Sequence, residues 1–223
     1  MSLPENVYTF PFDAQFGERT MTLHPSAIET ENGLLLLDTG LPHKVENVIG
    51  QMDDAGYGLD DIGMVLLTHQ DGDHAGGLAT ILDRANPTVL AHEIAAPVID
   101  GREQPRAGPD GERYPPARVD VELGGEPTIN TRVGPAKIIE TPGHTPCHVS
   151  VYLPDEKLLL AGDALGLYGD TLDAPEPEVT MDTEQALESV GKLADLDIDH
   201  ILCYHGGYTD EGTERLEEIL ASH

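Results

Sequence analysis

Five short apolar runs in this chain each stop at polar residues that include an acid or a histidine, with glycine beside them. Leu34–Leu37 stops at Asp38-Thr39-Gly40, and Met64–Leu67 stops at Thr68-His69-Gln70-Asp71-Gly72-Asp73-His74. Ile138-Ile139-Glu140 leads into Thr141-Pro142-Gly143-His144, Leu158–Leu160 into Ala161-Gly162-Asp163, and Ile201–Tyr204 into His205-Gly206-Gly207. A short continuous apolar run bounded by turn residues reads as a strand buried on both faces. Strands of paired sheets that end on one rim bring their exit turns together. The pattern therefore points to a layered fold that carries its chemistry at the strand ends.

The intervening segments agree with such a fold. VYTFPF and ERTMTLHPSAIETENGLLLL alternate β-rich stretches with turn residues such as Glu31-Asn32-Gly33. Further strands are expected at 88–91, 128–133, 136–140, 148–153 and 157–162. Val45, Val48, Ile49 and Met52 predict a helix over 43–56, and Ala186, Leu187, Val190 and Leu193 predict one over 182–194. Helices are also expected over 76–82 and near 210–221, and 164–180 reads as a loop. Strands mixed with helices in both halves give the α/β class. The 223 residues suit a single domain, 1–223, long enough to bury a core. It is interrupted at 101–118 by GREQPRAGPDGERYPPAR, a Pro-, Gly- and Arg-rich stretch that reads as an inserted flap.

The segment 68–74 sets two imidazoles and two carboxylates directly behind a buried strand. Imidazole and carboxylate are the side chains that zinc, iron and manganese take as ligands. A loop can aim residues of this spacing at one point, and Gly72 gives it backbone freedom. A polar turn that happens to hold two histidines is the plainer alternative. His144, Asp163 and His205, each just past an apolar strand, favour the metal.

LLLLDTG, LLTHQDGDHAGG, TPGHT, LLAGD and YHGG occur in the order used by the metallo-β-lactamase superfamily, and the chain resembles that family from about Val7 to its last helix. The resemblance implies an αββα sandwich, two mixed β-sheets flanked by helices, with a metal site at one sheet edge. It implies that His69 and His144 bind one divalent ion, that Asp73, His74 and His205 bind a second, and that Asp163 bridges them. Zinc is the expected metal, with iron or manganese as alternatives. The implied activity is hydrolysis of a small-molecule ester, lactone or thioester by a metal-bound hydroxide, with Asp73 orienting the nucleophile or taking a proton. An iron-dependent oxidoreductase of the same fold and a metal-binding protein without catalysis are the competing readings.

The chain departs from the family pattern at Asp71, where the hallmark has its second histidine. An Asp oxygen and an imidazole Nδ1 both sit one bond beyond Cγ, so Asp71 is expected to ligate from the same backbone position. The cluster then carries one positive charge fewer. Its water should be less acidic, which implies an alkaline activity optimum or weaker occupancy of one site.

Other residues receive plainer expectations. Asp38 corresponds to a family residue that supports the metal loop by hydrogen bonds. Of the remaining histidines His148 lies closest in sequence to a ligand and is a candidate to support one by hydrogen bonding, although a bland role is the plainer reading. His24, His43, His92, His200 and His223 have no place in the ligand set. Cys147 and Cys203 read as small buried residues. Tyr114, Tyr168 and Tyr204 are candidate oxyanion donors if they face the site, although packing is the plainer role. Arg102, Arg106, Arg113 and Arg118 of the flap would either salt-bridge to Glu103, Asp110 and Glu112 or receive a substrate carboxylate.

Acids number 41 against 12 bases, a formal charge of −29. This argues against a nucleic-acid or membrane-surface partner, since both call for positive charge. No apolar run approaches the roughly 20 residues of a membrane span. MSLPENVYTF lacks the basic start and apolar core of a secretory signal, so a cytoplasmic location is expected. Acids spread along the whole chain repel one another in dilute buffer, whereas at molar salt the Debye length is only about 3 Å. The expected setting is a high-salt cytoplasm. The melting temperature should rise as KCl is raised from dilute to molar; an equal melting temperature at both would count against it.

Overall fold

The structure, a computed structural model, describes residues 2–105 and 113–223. It divides into two compact units, Asn6–Gly124 on the one hand and Gly125–His223 with residues 2–5 on the other. No helix among the described residues is long and apolar enough to cross a membrane.

The first unit contains β1 (Val7–Thr9), β2 (Phe12–Phe16), β3 (Arg19–Leu23), β4 (Ser26–Thr30), β5 (Gly33–Leu37), α1 (Val45–Asp54), β6 (Ile62–Leu67), α2 (Gly72–Ala75), α3 (Leu78–Leu82), β7 (Thr88–His92), α4 (Ala96–Ile99) and β8 (Val121–Leu123). Its main sheet has the order β1-β4-β5-β6-β7-β8, and β2 and β3 form a separate hairpin. The sheet is mixed: β1, β4 and β5 pair antiparallel, while β5, β6, β7 and β8 run parallel. Parallel neighbours need a crossover, and the helices supply it. The apolar stripe of α1 is buried through Val45, Val48, Ile49 and Met52. Because β5 and β6 are parallel, Asp38 and the segment 68–74 leave the sheet at the same edge. The Asp38 N–H donates to the Leu66 carbonyl at 3.0 Å.

The second unit contains β9 (Thr128–Thr131), β10 (Gly134–Glu140), β11 (Val149–Leu153), β12 (Leu158–Gly162), β13 (Gly166–Tyr168), β14 (Thr171–Asp173), α5 (Thr183–Ala194), β15 (His200–Cys203), β16 (Gly207–Thr209) and α6 (Thr213–Ser222). Its sheet order is β16-β15-β12-β11-β10-β9, with β12 and β15 parallel and the other pairs antiparallel. Hence β10, β12 and β15 all point the same way, and His144, Asp163 and His205 follow their carboxyl ends. Ile139, Leu159, Ala161, Ile201 and Cys203 pack with Val190 and Leu193 of α5 and Leu216 and Ile219 of α6 in one buried cluster. Asp182 caps α5 by accepting the Gln185 N–H at 3.0 Å.

Two details differ from the sequence-based expectations. The segment expected as a plain loop at 68–74 closes into one helical turn, α2, with Asp71 at its N-cap. The expected loop at 164–180 contains a hairpin, β13–β14. Of the flap, residues 101–105 and 113–118 form neither helix nor strand. Arg106, Asp110 and Glu112 lie outside the described residues.

Gly143, just before His144, shows how tightly the turn after β10 is packed. Its φ is +139°, and a Cβ there would lie 2.3 Å from the Ala186 backbone in α5. Both the left-handed φ and the collision with backbone act against any side chain. Gly143→Ala should therefore lower the unfolding free energy by about 3 kcal/mol or more, read from the urea midpoint at constant m-value.

Candidate metal centre

In the first unit the site begins with Asp38, whose φ of +61° turns the chain sharply as β5 ends. Its buried carboxylate accepts the Thr68 N–H at 2.8 Å and the Thr68 hydroxyl at 2.8 Å, and lies 2.8 Å from His74 Nδ1. A carboxylate only accepts, so His74 carries its proton on Nδ1 and its lone pair on Nε2. The Thr68 hydroxyl has given its proton to Asp38 and sits 3.2 Å from His69 Nδ1, so that ring too presents Nε2 as an acceptor. The His74 carbonyl takes both the Thr39 N–H (2.7 Å) and the Thr39 hydroxyl (2.8 Å). The Asp38-Thr39 turn thus fixes His74 at ring and backbone.

The acceptors so arranged face other acceptors. His69 Nε2 is 3.7 Å from Asp71 Oδ2, and His74 Nε2 is 3.7 Å from Asp73 Oδ2. The two rings are fully buried, with centroids 4.0 Å apart. Two lone pairs at such a distance repel unless a cation lies between them. Ligands bound at roughly 2.0–2.1 Å in tetrahedral geometry stand about 3.3–3.5 Å apart. The donor set of this unit fits a divalent metal.

In the second unit, Asp163 Oδ2 is 3.4 Å from His144 Nε2 and 3.2 Å from His205 Nε2. One carboxylate oxygen flanked by two imidazole nitrogens at ligand–ligand spacing is the arrangement a bridging carboxylate needs. The backbone around Asp163 is held by a chain whose proton directions are all determined. The Asp163 N–H donates to His148 Nε2 at 2.8 Å, leaving the ring proton on Nδ1, which faces Thr141 Oγ1 at 2.8 Å. Thr141 then donates to Ser150 Oγ (2.9 Å), and Ser150 donates to the Ala161 carbonyl (2.8 Å). His148 acts as a neutral strut on a ligand-bearing turn. The sequence marked its position; Thr141 stood out only as part of the turn before His144, and Ser150 not at all, because a lone hydroxyl carries no signal of its own. The turn at His205 is gripped by the hairpin. The His205 carbonyl accepts the Leu167 N–H at 3.0 Å, and a Cβ on Gly206 would meet the Leu167 carbonyl at 2.0 Å.

The remaining candidates fall into structural roles. Cys147 and Cys203 are fully buried, and burial, with Asp163 and Glu211 nearby, pushes the Cys203 thiol well above its ordinary range. The Tyr114 hydroxyl donates to the Gln70 carbonyl at 2.7 Å, so its proton is not held for an oxyanion. The Tyr168 oxygen accepts the Glu176 N–H, and Tyr204 is buried edge-on to the His205 ring at 5.3 Å. The described flap arginines are engaged within the protein: Arg102 with Asp100 and Glu122, Arg113 with the Glu103 and Val98 carbonyls, Arg118 with Asp120. Engagement within the protein is the plainer reading of these arginines, but the carboxylates they meet are Asp100, Glu122 and Asp120, and Glu103 is met at its backbone carbonyl. His24 pairs with Thr9, His200 stacks on Tyr208, and His92 accepts the Ile94 N–H.

Comparison with known proteins decides the family. The sequence profile of the metallo-β-lactamase superfamily matches residues 26–205. This chain belongs to the metallo-β-lactamase superfamily. Membership brings divalent-metal binding and the metallo-hydrolase class of enzyme expected from the motifs. A curated relative, the probable metallo-hydrolase YflN of Bacillus subtilis, is 29% identical over 205 residues, covering 78% of this chain and 76% of its own. A hydroxyacylglutathione hydrolase of Ruegeria pomeroyi is 30% identical over 160 residues; the match spans 71% of this chain but only 52% of that protein. Among solved structures, the metallo-β-lactamase family protein TTHA1429 of Thermus thermophilus superposes with a TM-score of 0.77 at 23% identity, over 100% of this chain and 80% of its own. A metallo-β-lactamase from Pontibacter korlensis gives 0.78 at 16% identity, over 100% and 98%. The expected α/β fold of the metallo-β-lactamase type is the fold of this chain.

Asp38 accepts three charge-assisted bonds in a buried place, each of a kind worth about 1.5–3 kcal/mol. Asp38→Ala should cost at least about 3 kcal/mol of stability. Chemical denaturation of the metal-free protein would show this; a change below about 1 kcal/mol would contradict the role given to Asp38.

Proposed function

We propose that this chain is a dizinc hydrolase of a small ester, lactone or thioester, with His69, Asp71, Asp73, His74, His144, Asp163 and His205 as its ligand set. The observation that carries the reading is the single Asp163 oxygen lying 3.4 Å and 3.2 Å from the Nε2 atoms of His144 and His205. The acceptor-to-acceptor pairs His69–Asp71 and His74–Asp73 add to it. The name of the Ruegeria relative, which states hydrolysis of an acylated glutathione, supports an acyl-transfer substrate.

When bound, divalent zinc supplies Lewis acidity and makes water acidic enough to serve as a nucleophile near neutral pH. The chain's own residues do the rest. Asp38 and Thr68 keep the protons of His74 and His69 on Nδ1, so that both rings offer Nε2. His148 holds the turn from which Asp163 projects. Asp73, with its side chain 17% exposed, would hold the ion through one oxygen; with the other it would orient the nucleophile, take its proton and pass that proton to the departing alkoxide or thiolate as the acyl bond breaks. The buried thiols of Cys147 and Cys203 take no part as nucleophiles.

The reading extends to setting: a single domain working in a high-salt cytoplasm on a small molecule, with neither nucleic acid nor membrane as partner. Among the described acids only Asp38 and Asp163 are buried, so nearly all of the excess charge meets solvent.

Elemental analysis of protein purified in molar KCl should find two zinc ions per chain, and a panel of lactones, thioesters and aryl esters should reveal hydrolysis. Iron in their place would favour the oxidoreductase reading instead. Asp71→His restores one positive charge to the cluster, which lowers the pKa of the attacking water. The pH–rate profile of Asp71→His should therefore shift toward lower pH than that of the native protein. An unshifted profile with unchanged metal content would remove Asp71 from the ligand set.

A further inference from the structure

Asp71 is the residue at which this chain leaves its family's pattern, and the backbone around it is held on both sides. On one side the Asp71 carbonyl accepts the N–H groups of His74 (3.0 Å) and Ala75 (2.9 Å), which ties it to α2. On the other side the Gln70 carbonyl accepts the hydroxyl of Tyr114 at 2.7 Å, from a residue 44 positions away in sequence. Tyr114 is 7% exposed, and its ring lies over Gly72, where an added Cβ would be 3.4 Å from the ring edge. Arg113 holds the tyrosine in turn. Its guanidinium sits 5.5 Å from the ring centroid, and it donates to the carbonyls of Glu103, Val98 and Ile99. The base of the flap is thereby fastened to α4 and to the segment 68–74 within one unit.

The Gln70 carbonyl and the Asp71 amide belong to one planar group. Whatever fixes the carbonyl direction also fixes the first bond from which the Asp71 side chain departs. An aspartate has only two side-chain torsions with which to correct a misdirected backbone. We propose that Tyr114 is a positioning residue for Asp71: its hydroxyl sets the Gln70–Asp71 peptide plane and so the aim of the Asp71 carboxylate toward a metal. The inference rests on the preceding reading of Asp71 as a ligand.

Tyr114→Phe removes one hydroxyl and leaves the ring on Gly72. The probe is zinc alone, titrated into the metal-free full chain in molar KCl against a chromophoric chelator, alongside the melting temperature of the metal-free protein. The expected result is a loss of about 10-fold or more in affinity for one of the two ions, as for other residues that orient ligands, with the second ion unaffected. In an Asp71→Ala background the same change should have no further effect on zinc affinity, because the residue it acts through is gone. A purely structural tyrosine would lower the melting temperature equally in both backgrounds and leave zinc affinity alone, and that result overturns the proposal. Should Tyr114→Phe fail to fold, Arg113→Met loosens the tyrosine without removing its hydroxyl. It should give a smaller loss at the same ion, and unchanged affinity there also overturns the proposal. Native protein that binds no zinc would sink the metal reading and this inference together. Native binding matched by Tyr114→Phe would sink this inference only.

Discussion

The carboxylate of Asp38, 1% exposed, has no solvent to satisfy it and must be answered by donors inside the protein. Burying an ion is costly unless it is hydrogen-bonded in full. Two of its donors come from Thr68, and its third contact is the His74 ring. That requirement orders the edge of the first unit. It joins the ends of two parallel strands and decides the tautomer of His74. Through Thr68 it decides that of His69 as well. The acceptor face presented by these two rings is thus a consequence of where one negative charge has been buried.

The second unit reaches a similar end by neutral means. Here the anchor for the ligand-bearing turn is His148, whose two ring nitrogens are both taken up by protein partners. The chain of donors ends on the Ala161 carbonyl, two residues before the amide at which it begins. In this set each side-chain proton has an acceptor. The set rigidifies the Asp163 turn without adding charge beside a carboxylate that has two imidazoles for neighbours.

Much of this was readable beforehand, for a physical reason. Buried strands must be continuously apolar, and metal ligands belong to few residue types. A polar cluster of His and Asp at the end of an apolar run therefore contrasts strongly with its surroundings. The same contrast located Asp38, while closeness to His144 in sequence marked His148. What the sequence concealed has no such contrast. Ser150 looks like an ordinary strand residue and Thr141 like an ordinary turn residue, and their role depends on a register that pairs Ile139 with Ser150. The β13–β14 hairpin was hidden by its short strands and by Pro175 and Pro177 just beyond it. Its Gly169-Asp170 pair is nonetheless a two-residue hairpin signal between extended triplets. The hydroxyl of Tyr114 was legible only as a phenol, since nothing local says that it will reach Gln70.

The distribution of charge connects the surface to the site. Of the acids in the described residues, the buried ones are Asp38 and Asp163, one at each ligand cluster. Asp71 and Asp73 are half-withdrawn, with side chains 22% and 17% exposed. A chain of charge −29 offers many carboxylates that would bind cations loosely at its surface. Selective retention of a divalent ion then depends on direction rather than on charge, because undirected carboxylates are abundant. The buried struts supply that direction: Asp38 and Thr68 for the imidazoles, His148 for Asp163. In so acidic a protein, orientation by neutral and buried partners distinguishes a metal site from the rest of the surface.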